Sequence, residues 1–245
     1  MDNLDKDKLP KVKAKLEVKN EVSSEIAELY LYGTIRESYW WEEDDTDVIS
    51  SKRVRKALKD LGGKDINVHI ASNGGEVFES IAIRNLLKQH DGKIFMYVDS
   101  IAASGASVIV TAGDIVYMYD NTMQMIHNAW TIALGDSEEL RKVADDLDKI
   151  NISVRTSYMN RFIGTEGELE KLLSEETFLT AEECLAFGLC DEIIDIDEEE
   201  EEEESAENNI KKNLFNKYKK NIESKVVDNK TTLFNAFKNK TGGNE

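Results

Sequence analysis

The chain of 245 residues reads as an α/β fold on three observations. A strand, a glycine or serine turn and a helix follow one another twice in succession, more short strands come after them, and a long amphipathic stretch follows those. In order, Ile66-Asn67-Val68-His69-Ile70 alternates as a strand and runs into Ala71-Ser72-Asn73-Gly74-Gly75; beyond it Val77, Phe78, Ile81, Ala82 and Leu86 fall at helical spacing. Asp91-Gly92 turns the chain into the strand Ile94-Phe95-Met96-Tyr97-Val98, and the apolar run Val108-Ile109-Val110 before Ala112-Gly113 predicts a short buried helix opening at Ser104. Ile115–Tyr119 and Met123–Ile126 are the next strands. Over residues 136–158, Leu140, Val143, Ala144, Leu147, Ile150 and Val154 keep helical spacing, with Asp136 and Glu139 placed as a capping box. Thr165 with Glu168, and Thr180 with Glu183, are two more such boxes; the second opens a short helix that stops at Gly188, and residues 189–194 form the closing strand.

The segment Asp99-Ser100-Ile101-Ala102-Ala103-Ser104-Gly105-Ala106-Ser107, followed one strand later by Met125-Ile126-His127-Asn128, carries the chemistry. A serine hydroxyl is a poor nucleophile until a base takes its proton, and the oxyanion it creates needs backbone N–H donors nearby. Small residues around Ser104 leave room for both, and a helix start turns its positive end toward the developing charge. The plain alternative is a serine that merely caps a helix. Of the 3 histidines, His69 lies within a strand on the face opposite Val68 and Ile70, and His90 ends a helix; only His127 follows a strand end.

With those motifs in order, the chain resembles the Clp-type (ClpP-like) serine peptidases over residues 26–196, and most nearly the phage head maturation branch. The resemblance implies the Clp/crotonase-type fold of repeated β-β-α units with a protruding long handle helix, formed by residues 136–158, that interlocks two rings. It maps the nucleophile onto Ser104 in Ala102-Ala103-Ser104-Gly105-Ala106, the general base onto His127 in Met125-Ile126-His127, and the oxyanion donors onto the amides of Gly75 and Gly105. The acid that precedes a Phe-Leu-Ser/Thr-Ala segment maps onto Glu176, where cellular enzymes carry aspartate, with neighbouring Glu175 as the alternative. Two departures, Ser72-Asn73-Gly74-Gly75 for Ser-Pro-Gly-Gly and His127-Asn128-Ala129-Trp130 for His-Gln-Pro, remove no catalytic atom.

A net charge of -18 excludes the electrostatics of a general nucleic-acid binder. No run reaches membrane-spanning length and charges fill the first residues, so neither membrane nor secretion is expected, and the cytoplasm of a bacterium or phage-infected cell, including a procapsid interior, is the expected location. Cys184 and Cys190 have no metal spacing and are expected to be a reduced, packed pair; no cofactor is expected. The chain divides into an N-terminal tail (1–20), a peptidase domain (21–196), an acidic linker (197–209) containing the glutamate run 198–204, and a basic tail (210–245) in which Lys211, Lys212, Lys217, Lys219 and Lys220 surround Leu214, Phe215 and Tyr218. Tyr39-Trp40-Trp41 before Glu42-Glu43-Asp44-Asp45 reads as a partly buried aromatic loop, with a ring or partner contact as the alternative.

Together these predict a serine endopeptidase acting on proteins and peptides, assembled as a homo-oligomeric ring, with processing of phage capsid or scaffold proteins as its task. The alternatives are a housekeeping-type proteolytic subunit working with an ATPase, and a catalytically silent ring or scaffold component. Two further rivals on this fold are a lysine-dependent peptidase, in which His127 would be dispensable, and an acyl-CoA enzyme, in which Ser104 would be.

Overall fold

The computed structural model describes residues 15–20, 24–37 and 48–195. The aromatic loop at 39–41, the acidic linker and the basic tail fall outside them. Among the described residues eight strands form one mixed sheet, ordered β1 (Lys15–Lys19), β2 (Ile26–Ile35), β3 (Asp65–Gly75), β4 (Ile94–Ala103), β5 (Ile115–Tyr119) and β8 (Glu192–Ile194), with β6 (Met123–Ile126) on β4 and β7 (Thr177–Thr180) on β6. Strand β1 is antiparallel to β2, and the run from β2 to β8 is parallel. Residues 15–19, expected within the N-terminal tail, are therefore an edge strand: Leu16 and Val18 pack on the core, and the Arg53 guanidinium donates to the Leu16 carbonyl.

Parallel strands need crossovers, and the helices α1 (Ser51–Leu61), α2 (Val77–Lys88) and α3 (Gly105–Val110) supply them. They cover the sheet face carrying Leu29, Leu31, Val68, Ile70, Met96 and Val98, all fully buried. Period-two alternation along β2, β3 and β4 puts every other side chain there. The opposite face is half-buried and polar-aromatic, and His69 lies on it. Of the apolar stripe that predicts α2, Val77, Ile81 and Leu86 pack half-buried on the core. Ser80, Ile83, Arg84 and Leu87 are buried, while Phe78 is exposed, because α2 is apolar on more than one side and only packing selects among them.

Beyond the sheet, α4 (Ser137–Met159) is 23 residues long, α5 (Glu166–Ser174) follows, and α6 (Ala181–Ala186) precedes β8. All three expected capping boxes are formed. Helix α4 buries only Val154, Ser157 and Tyr158, near its C-terminal end. Strand β8 begins at Glu192, so Cys190 lies just before it rather than within it. Both cysteines are buried thiols. No described helix is long and apolar enough to cross a membrane.

Candidate active site

Strand β4 has two successive neighbours on one side. Residues 95–98 pair with β5, and Ile101, Ala102 and Ala103 pair with Met123, Gln124 and Met125 of β6. Where β4 ends, the Ser104 N–H donates to the Met125 carbonyl at 2.8 Å. Strand β3 runs alongside, with Ser72 opposite Ala102. Three adjacent parallel strands thus end together and bring Gly74-Gly75, Ser104-Gly105 and His127 to one rim, the usual place for a site in such sheets.

Ser104 turns the chain from β4 into α3 with φ 56 and ψ -124, a left-handed backbone that costs a non-glycine residue about 1–3 kcal/mol. It holds the N-cap position yet makes no side-chain capping bond. Its Oγ instead lies 2.7 Å from Nε2 of His127. The strain and the lost cap both aim the hydroxyl at a base.

His127 is held from behind, since Asn128 donates to the Leu173 carbonyl and Ala129 to Oδ1 of Asn151. Its ring is 8 % exposed. Burial pushes its pKa below the usual histidine value, against the raising effect of the Glu176 charge, so the imidazole is neutral and able to accept a proton near neutral pH. For Nε2 to take the Ser104 proton, the ring's own proton must sit on Nδ1. That nitrogen is buried and, among the described residues, has no hydrogen-bond partner.

Glu176 faces it. Strands β6 and β7 are antiparallel with Ile126 opposite Thr177, and one more step of that register sets His127 opposite Glu176. The nearest carboxylate oxygen is 3.9 Å from Nδ1, an ion-pair distance beyond hydrogen-bond reach, and the Glu176 side chain is 73 % exposed. Glu176 also has a positive φ of 50. Glu175 ends α5 and lies 3.9 Å from Lys171, so of the two expected carboxylates only Glu176 is brought to the histidine.

The glycines are required by space. A Cβ on Gly74 would lie 2.6 Å from the Ala103 carbonyl oxygen and 2.8 Å from the Gly105 nitrogen, and one on Gly75 would overlap the Ile35 carbonyl at 1.8 Å. A Cβ on Gly105 would strike Oγ of Ser80 at 2.1 Å and stand 3.6 Å from the Gly75 nitrogen, so the Gly75 and Gly105 backbones converge beside Ser104. Gly74 is the residue sequence reasoning passed over, although it stands in the Gly-Gly pair: it lets β3 touch the backbone that carries the nucleophile. An open cleft runs past these groups, lined by Ile35, Phe78, Met125, Trp130, Val154 and Tyr158 among others. Among the described residues no group of three or more His, Cys, Asp or Glu side chains is placed to hold a metal ion.

A hydroxyl on a neutral imidazole, at the C-terminal ends of parallel strands and beside converging amides, has the parts that acyl transfer by a hydrolase needs. The model of the family described as Clp protease matches residues 50–197, and the chain belongs to that family. It is therefore of the ClpP type, whose members are peptidases, generally serine peptidases, and the mixed α/β sheet with its helices agrees with the ClpP-like fold.

Proposed function

We propose that this chain is a serine endopeptidase working through an acyl-enzyme. Ser104 attacks the peptide carbonyl, His127 takes its proton and returns it to the leaving amine, and the amides of Gly75 and Gly105 hold the oxyanion. Glu176 orients His127 and balances its transient positive charge by swinging toward Nδ1. The observation that carries this reading is the 2.7 Å contact of Ser104 with His127, made by a serine in a strained backbone that gives up its capping role. An extended substrate pairs with the backbone beyond Gly75, which gives modest sequence preference.

The task we assign is maturation of phage head proteins within a homo-oligomeric ring. His127-Asn128-Ala129-Trp130 and the basic tail after an acidic linker support the phage branch over a housekeeping subunit. Exposed Ile132, Leu134 and Leu140 before and within α4 support assembly through a handle. The test is cleavage of an unfolded protein and of a folded capsid or scaffold protein by the parent and by Ser104→Ala. Cleavage of the capsid or scaffold protein without nucleotide, lost in the variant, is the expected result. Cleavage that needs an ATP-hydrolysing unfoldase would favour the housekeeping reading, and assembly without hydrolysis of either substrate the silent one.

A further inference from the structure

Beneath the nucleophile lies a buried pair of hydroxyls that the mechanism above does not use. Ser107, in α3, is 0 % exposed and Tyr158, in α4, is 1 % exposed. Their oxygens are 2.7 Å apart. Ser107 Oγ also lies 2.6 Å from the carbonyl oxygen of Ser104 and 3.0 Å from that of Met125. Carbonyls only accept, and Ser107 has one proton. If that proton went to Tyr158, two carbonyl oxygens would face the lone pairs of Ser107 between two buried residues. The favoured arrangement is that Tyr158 donates to Ser107, and Ser107 shares its one proton between the two carbonyl oxygens 2.6 Å and 3.0 Å away.

Those carbonyls belong to the elements that must stay in register for the Ser104–His127 contact. One is the nucleophile's own, at its strained turn. The other lies in β6, two residues before His127, and already receives the Ser104 N–H at 2.8 Å. The geometry points to Ser107 and Tyr158 as positioning residues that hold the Ser104 turn against the His127 strand and tie both to the C-terminal end of α4. This rests on the reading of Ser104 as nucleophile and His127 as base. Neither hydroxyl touches the reacting atoms, and both act through backbone. Displacing the end of α4 would then be felt at the nucleophile.

The test measures kcat and KM for a peptide, the rate of labelling by a fluorophosphonate, and Tm, for the parent, Tyr158→Phe, Ser107→Ala and the double variant. Ser107→Ala removes the donor to both carbonyls and strands the Tyr158 hydroxyl, so kcat and labelling fall about tenfold or more with KM nearly unchanged, and Tm falls. Tyr158→Phe alone has the smaller effect on kcat, because Ser107 still donates. In the double variant the stranded hydroxyl is gone, so Tm recovers while kcat stays at the Ser107→Ala level. Recovery of kcat together with Tm would overturn the proposal in favour of a purely structural pair. So would a Ser107→Ala or Tyr158→Phe protein that folds and works like the parent. A parent that never labels would instead overturn the nucleophile assignment beneath it, a result distinct from a labelling parent matched by its variants.

Discussion

Ser104 Oγ meets Nε2 of His127 at 2.7 Å, while the nearest Glu176 carboxylate oxygen stands 3.9 Å from Nδ1 of the same ring. The distance from Glu176 to that histidine was not legible in the sequence. It depends on a positive φ and on a side chain that leans into solvent. The Ser107–Tyr158 contact was hidden for another reason: its partners are separated by 51 positions, and each residue taken alone looks like ordinary helix filling. Glu176→Gln tests the third member. An orienting aspartate that is fully buried is worth roughly 10⁴ in kcat, but this carboxylate is exposed and out of hydrogen-bond reach, so kcat is expected to fall only about 10- to 100-fold. The Glu176 charge raises the His127 pKa, and its removal lowers that pKa further. The acidic limb of the kcat/KM profile should therefore move to lower pH in the variant, as a series of initial rates across pH would measure.

Among elements, strands β3, β4, β5 and β6 and the three capping boxes followed directly from the sequence, since period two and the Thr/Asp-x-x-Glu pattern are local signals, whereas β2, α1 and β7 were not read from it. Which residues of α2 are buried most deeply did not follow, because tertiary packing decides between its apolar sides. The edge strand β1 was also missed, being short and flanked by charges. The meeting of strand ends gives the sharpest prediction here. Gly74→Ala would press a methyl into the backbone around Ser104 at a φ of +91. Tm is expected to fall and probe labelling to drop more than about 100-fold. Gly167→Ala is the matched control: in α5 nothing lies within 4 Å of its added Cβ. Thermal melting should then show stability unchanged or raised by up to about 0.5 kcal/mol, with labelling intact.

Across the whole molecule, the half-buried sheet face opposite the crossover helices carries a stacked ladder from β2 to β5: Tyr30 on His69 at 4.7 Å, His69 on Tyr97 at 5.0 Å and Tyr97 on Tyr117 at 4.7 Å. Burial would push the His69 pKa down, but hydrogen bonds to Asp99 and Glu28 outweigh it and lift the value to about 9. A pKa raised on folding stabilises below the unfolded value near 6.5 and loses that contribution as pH climbs through about 9. Parent Tm should fall across that window relative to His69→Gln, and parallel melts of the two proteins would measure it. The proposed assembly is the other matter of this scale. Leu134 is 97 % exposed, so Leu134→Asp should leave the subunit's circular dichroism unchanged while native mass spectrometry records smaller assemblies. The central claim, an activated Ser104–His127 pair, is tested most directly by intact mass after incubation with a fluorophosphonate. One adduct on Ser104 in the parent, absent from both Ser104→Ala and His127→Ala, is the predicted result; a folded, assembled parent that takes no adduct, or a His127→Ala variant that labels like the parent, would contradict it.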